Sequence, residues 1–338
     1  MFDVPTLLII IILAALIFDF TNGAHDCANA IATVVSTKVL SPKSAIVLAA
    51  SLNFIGALLG EEVALTLGSG IVNADIVSGS QTLVLAALVG AIVWNSITWY
   101  FGIPSSSSHA LIGGLMGAAI AHIGVDSLNV QSIIHKVIIP LFASPLAGFF
   151  MGVILMGGIS ILFFKVNRKF VNNFFRKSQI FSAAIMALSH GLNDAQKTMG
   201  VITLGLVIFG YVPGGADMHI PTWVKITCAL AMAAGTATGG WKIIKTMGQK
   251  IFKLEPVHGF AAETSAAAVI ACASAIGAPI STTHTITACI FGVGSTKRLS
   301  AVRWGIAGNL LIAWVLTIPA AATVGALSFY ALELIFGA

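Results

Sequence analysis

Charge is scarce in this chain. Only 9% of its 338 residues are Asp, Glu, Lys or Arg, too few to clothe a soluble surface of that size, and the mean hydropathy is +0.99. With apolar runs of twenty residues or more, this argues against a soluble domain and for an integral membrane protein. Cysteine is sparse as well: Cys27, Cys228, Cys272 and Cys289 all fall in apolar stretches without C-x-x-C spacing. They read as small apolar packing residues rather than as a disulfide framework or a thiolate metal site. A basic leader and an A-x-A cleavage pattern are both missing from MFDVPTLLIIIILAALIFDF, so this segment reads as a retained membrane span. The net charge of +5 would suit nucleic acid, but the basic residues are distributed to mark one side of a membrane, and no nucleic-acid partner is expected.

Three short patterns recur in the same order. Gly23-x-x-Asp26 returns as Gly191-x-x-Asp194, Thr66-x-Gly68 as Thr246-x-Gly248, and the run from Pro104 to His109 (PSSSSH) as that from Pro279 to His284 (PISTTH). The nearly constant offset points to a duplication: a first transmembrane repeat over 1–164, a basic linker over 165–178 and a second repeat over 179–338. Lysine and arginine favour cytoplasmic loops, which places 14 of the 17 basic residues inside, the linker among them. Glu61, Glu62, Asp75, Asp126 and Asp217 then fall outside. Residues 5–37 run inward, 44–72 outward and 137–164 inward again, while 180–210 run outward, 222–250 inward and 304–325 outward. The expectation is an all-α membrane protein of two inverted-topology repeats, an arrangement typical of secondary transporters.

Residues 80–121 and 258–296 each read as an apolar arm, a Pro-Ser/Thr break and a second arm, hence a re-entrant helical hairpin. Irregular backbone at membrane depth is tolerated only inside protein or beside a polar cavity. The break is the start of a half-helix with hydroxyls at its cap, and such an end has free N–H groups and partial positive charge that suit an anion. Ser105, Ser106, Ser107, Ser108, Ser281, Thr282 and Thr283 are therefore anion-binding candidates. Capping and tight packing alone are the competing use of these hydroxyls. His109 and His284 serve equally well as neutral hydrogen-bond anchors or as ligands.

TNGAHDCANA (21–30) and SHGLNDAQKT (189–198) interrupt long apolar spans with Gly, Asn, His and Asp. Each suggests a discontinuous helix, unwound in mid-membrane. An acid at that depth is costly, so Asp26 and Asp194 are candidates for binding sodium or carrying protons, with amides such as Asn22 and freed carbonyls as further hard ligands. A structural alternative is that each Asp caps its half-helix or pairs with Lys197. Glu263 is a third acid on a hairpin arm, and its counterpart position holds Leu88. Asn53, Asn95, Gln81 and Asn309 are intramembrane amides that either complete a coordination shell or join helices.

TNGAHDCANAIATVVSTKVLSP, SHGLNDAQKTMGVI, WNSITWYFGIPSSSSHALIGG, GGWKIIKTMGQKI, GFAAETSAA, PISTTHTITACIFGVG and AWVLTIPAA together resemble the inorganic phosphate transporter (PiT) family, most of all its bacterial low-affinity members, over nearly the whole chain. The resemblance implies symport of inorganic phosphate with sodium or protons across the cell (inner) membrane, with no cofactor. It places the signature acids on Asp26 and Asp194, with Asn29 and Asn193 beside them, and the hairpin tips on Ser105 to Ser108 and Ser281 to Thr283. Lys197 stands where the first motif has Asn29 and would act as an internal counter-charge; Asn53 stands where many eukaryotic members carry glutamate. A sulfate symporter of the same family is the alternative, since a donor-only site separates two tetrahedral oxyanions poorly. An intramembrane Ser/His hydrolase finds little support, because no single serine stands out as a nucleophile, and the chain is not expected to be an enzyme. An anion channel would ignore ion gradients. Lipid is the expected surrounding, and a homodimer rests on analogy with other transporters.

Overall fold

The computed structural model describes residues 4–68 and 81–336; Asp75 and the end of the expected 44–72 span lie outside them. Among the described residues the chain is helical. In order come α1 (Val4–Ser36), α2 (Pro42–Ala57), α3 (Glu62–Gly68), α4 (Gln81–Phe101), α5 (Ser107–Ile123), α6 (Ile139–Leu162), α7 (Arg168–Ile208), α8 (Thr222–Thr238), α9 (Pro256–Ala275), α10 (Thr282–Lys297) and α11 (Trp304–Phe336), with short turns between. α1, α4, α6 and α11 are long and apolar enough to cross a membrane.

Local chemistry sets the helix ends. Ser41 caps α2 by accepting from the Ser44 N–H, with Pro42 preset for the first turn. Asn167 does the same for α7 through the Lys169 N–H at 2.8 Å. The basic linker is thereby drawn into α7, whose 41 residues extend roughly 60 Å at 1.5 Å per residue, well beyond a bilayer core.

The two Pro-Ser/Thr breaks join helices that fold back on each other. In the first, Ala87 lies against Gly114 and Thr98 receives the Ser105 hydroxyl at 2.9 Å, so α4 and α5 run antiparallel from their tip. α9 and α10 form the second pair.

Packing between helices recurs at displaced positions. α1 packs on α8 as α7 packs on α2, and α5 packs on α11 as α10 packs on α6. Glycine makes these approaches possible: a Cβ on Gly56 would lie 2.1 Å from the Leu188 carbonyl oxygen, and one on Gly235 would lie 2.0 Å from that of Phe20. Backbones this close are the usual way membrane helices associate.

The sequence suggests unwound helices at 21–30 and 189–198. The structure corrects this: α1 and α7 run unbroken through both segments. Mid-helix Gly costs only about 1 kcal/mol, and Gly23 and Gly191 serve close packing against Met232 and Asn53. The amide nitrogens of Asn29 and Asn193 donate to hydroxyls of the second hairpin, so freed backbone carbonyls are not required to satisfy them.

The apolar core divides into two large clusters. Along α1 one contains Phe18 and the other resumes at Cys27; along α7 one contains Ala187 and the other resumes at Ala195. The polar motifs fill the layer between them. Cys27, Cys228 and Cys289 are buried and all four cysteines are free.

Candidate ion and anion site

Asp26 and Asp194 project from the crossing of α1 and α7 and are both nearly inaccessible, at 2% and 1% exposure. One oxygen of each, with a ring nitrogen of His190, lie within 4.8 Å of one another. Two carboxylates this close in a dry interior need a positive partner. Asp194 has one in Lys197, a turn along α7, whose ammonium donates to Oδ1 and also to the Ile280 carbonyl at 2.9 Å. The lysine is thus a counter-charge for one acid only. Asp26 instead accepts from His25 Nδ1 at 2.6 Å.

The ring of His190 sharpens the demand for a cation. Asn53 donates through Nδ2 to Thr236 at 2.9 Å, which leaves its Oδ1 to accept from His190 Nδ1 at 3.1 Å. In the neutral ring Nε2 is then an acceptor, yet it faces Asp194 Oδ2 at 3.0 Å. Two acceptors at that distance hold a proton or a cation between them. In the same two motifs, the side-chain oxygens of Asn22, Asn29 and Asn193 are buried without a hydrogen-bond donor among the described residues. A layer with surplus oxygen acceptors and few donors fits a hard cation.

The second hairpin tip closes onto these acids. Thr282 donates to Asp194 Oδ2 at 2.8 Å and Thr283 to Asp26 Oδ1 at 3.2 Å. Asn29 donates to both threonine hydroxyls, at 3.2 and 2.9 Å. Asn193 reaches the same hairpin through Ser274 at 2.8 Å. The first tip meets the second: Ser108 donates to the Ile280 carbonyl at 3.4 Å, and the His109 and His284 rings stand 5.0 Å apart.

The serines divide by use. Ser106 and Ser281 are N-caps, accepting from the His109 and His284 N–H groups at 3.2 Å each. Ser105 turns away to His25 and Thr98. Ser107 is buried at the start of α5 with its hydroxyl unpartnered among the described residues, which makes it the freest donor at the first tip.

Glu263 is not brought to this cluster. It accepts from Thr33 and Ser182 and from Gln179 Nε2 at 3.0 Å, joining α9 to parts of α1 and α7 two or more turns from the signature acids. Of the amides, Asn53 positions His190, Asn95 is buried, and Asn309 is exposed on the outer face of α11; the Gln81 side chain lies outside the described residues.

Sequence reasoning missed several participants. His25 and His190 sit inside the signature motifs, yet residue type alone gave them no role. Gln196 accepts from the Val63 and Ala64 N–H groups at 2.8 and 3.2 Å and so holds the start of α3. Asp19, an acid in the apolar run LIFDF, carried the same signal as Asp26 and is also fully buried.

Apolar spanning helices around a buried acid-and-hydroxyl layer, with two helix starts meeting in it, define a membrane transport protein. The profile of the phosphate transporter family matches residues 22–325, and the chain belongs to that family. It is 50% identical over 330 residues to a protein of Rhizobium meliloti (strain 1021), covering 97% of both chains, and 49% identical over 330 residues to one of Bacillus subtilis (strain 168), covering 98% of both. Each of these relatives bears the name "probable low-affinity inorganic phosphate transporter". A solved structure of a sodium-dependent phosphate transporter superposes with a TM-score of 0.89 at 25% identity, covering 98% of this chain and 100% of that one.

Proposed function

We propose that this protein is a secondary symporter that carries inorganic phosphate across the cytoplasmic membrane together with sodium or protons. The observation that carries the reading is the junction of the α10 tip with both signature acids, Thr282 with Asp194 and Thr283 with Asp26. An anion site built from helix starts is thereby joined to a cation site built from carboxylates.

Phosphate binds between the starts of α5 and α10, taking first-turn N–H groups and the hydroxyls of Ser107, Ser108, Thr282 and Thr283. The cation sits between Asp26 and Asp194, with Asn22, Asn29 and Asn193 offering oxygens. Its arrival draws the carboxylates away from the threonines and frees those hydroxyls to donate to the anion. Loading both charges together lowers the electrostatic cost of each, which couples the fluxes. Sodium is favoured by the oxygen-rich layer and by the likeness to the sodium-dependent transporter.

The two-repeat, inverted architecture belongs to the same reading. It is supported by the recurring helix pairs, by the matched glycine approaches and by the basic residues that put the 165–178 segment in the cytoplasm. Alternating access then arises from one repeat moving against the other.

Purified protein in proteoliposomes tests this. Uptake of [32P]orthophosphate is expected under an imposed inward sodium or proton gradient, and not without one. Uptake indifferent to both gradients would mean a channel.

A further inference from the structure

Asp19 lies on α1, seven residues before Asp26, and is completely buried. Neither of its carboxylate oxygens has a hydrogen-bond partner among the described residues. Thr198 on α7 stands beside the carboxylate but without a properly formed hydrogen bond, its own hydroxyl likewise unpartnered. On the α8 side stands the thiol of Cys228. Its neighbour in sequence, Phe18, belongs to a packed apolar cluster with Ala15, Met199, Ile202 and Met232. The charged groups that act on Asp19 are Asp194 and Lys197, both on α7 and already paired with each other.

A bare carboxylate in such a place is not sustainable. The Thr198 hydroxyl stands beside this carboxylate, where sodium would need several oxygens to converge. A proton needs none of them. We propose that Asp19 is a proton site, distinct from the Asp26–Asp194 cluster, which directs Lys197 towards the transported anion when it is protonated.

The link to the anion runs through Lys197. Its ammonium holds Asp194 and the Ile280 carbonyl, the residue immediately before the Ser281 cap. With Asp19 ionised, a second negative charge within electrostatic reach competes for that ammonium. With Asp19 neutral, the positive charge answers only to Asp194 and the α10 tip. Proton and phosphate therefore favour each other's binding, and such a linkage is reciprocal. This coupling rests on the phosphate-symport reading; the protonation of Asp19 does not.

The test compares wild type with Asp19→Asn, which mimics the protonated acid, by [32P]orthophosphate binding at fixed sodium from about pH 5.5 to about pH 8. Phosphate ionises in the same range, but equally for both proteins, so the ratio of their affinities is what counts. That ratio is expected to change by about tenfold across the range, within the usual size of coupling between sites, with the variant the tighter binder at high pH. The variant should also lose accumulation driven by a proton gradient. A constant ratio, or undiminished proton-driven accumulation, overturns the proposal. Should Asp19→Asn fail to fold, Thr198→Val takes its place: a shifted midpoint of the pH profile is expected, and an unchanged one refutes the site. An infrared band of a protonated carboxyl at low pH, abolished in Asp19→Asn or displaced in Thr198→Val, reports on Asp19 without phosphate. If wild type bound no phosphate yet kept this band, the symport reading would fall and the proton site would stand; without the band the site itself falls.

Discussion

The ammonium of Lys197 joins the Asp194 carboxylate to the Ile280 carbonyl, 2.9 Å away. One side chain of α7 thus neutralises a signature acid and anchors the tip of the second hairpin. Asp26, the counterpart acid, has a histidine ring instead, so the two halves of the site differ in charge.

That difference separates the two acids experimentally. Asp26→Asn and Asp194→Asn are each expected to reduce gradient-driven phosphate uptake to background, since each removes a proposed cation ligand. Only Asp194→Asn leaves a buried ammonium without its partner, a loss of roughly 3–5 kcal/mol. Adding Lys197→Met to it should recover most of that stability and none of the transport. Melting temperatures with uptake in the same preparations decide the matter; a double variant as unstable as the single one would dissociate the pair from stability.

Hydroxyls that cap and hydroxyls that bind substrate are expected to respond differently. Ser106→Ala and Ser281→Ala each remove a cap, with a loss of about 1 kcal/mol visible as a lower melting temperature. Ser107→Ala removes no hydrogen bond within the described structure. It should leave melting unchanged and raise the KM for phosphate by about tenfold, the worth of a hydrogen bond to a charged group. An unchanged KM would take Ser107 out of the phosphate site.

Asn53 orients the His190 ring by accepting from its Nδ1 at 3.1 Å. Replacing it with Ala lets the ring turn and change tautomer. Loss of such an orienting partner typically costs about 10–100-fold in cation affinity. The sodium or proton concentration for half-maximal uptake should rise accordingly while the rate at saturation is kept. A fall in the saturated rate with no change in ion dependence would show Asn53 to be merely structural.

Much of this was legible in the sequence because its signals are exceptions to an apolar background. Hydropathy marks the spanning helices, and the doubled Ser/Thr-His runs mark the two tips that the structure brings together. The paired Asp motifs mark the layer where Asp26 meets Asp194. What composition could not reveal was how the polar side chains are satisfied. Gly and Asn in mid-span suggested a broken helix, whereas Gly23 and Gly191 admit neighbouring backbones and Asn29 and Asn193 bond across to the second hairpin. The separation of Glu263 from the signature acids depends on partners more than eighty residues away in sequence, Ser182 and Gln179, which no local pattern encodes. The capping duty of Ser106 and Ser281 was written in their position ahead of a helix, but four adjacent serines did not say which one caps.

The glycine approaches provide a test of the duplication through packing alone. Under the proposed duplication Gly56 and Gly235 hold matching places, Gly56 against the Leu188 backbone of α7 and Gly235 against the Phe20 backbone of α1. A methyl group at either would lie about 2 Å from a carbonyl oxygen, and a backbone is less able to yield than a flexible side chain. Gly56→Ala and Gly235→Ala are therefore expected to destabilise by roughly 1–3 kcal/mol each, by similar amounts if the two interfaces are equivalent. Gly157 and Gly158, in α6, have open space where a Cβ would go. Alanine there should be neutral or raise stability by up to about 1 kcal/mol through helix propensity. Thermal unfolding of the four variants in one detergent makes the comparison, and tolerance of Ala at one of the matched positions but not the other would break the equivalence of the two halves.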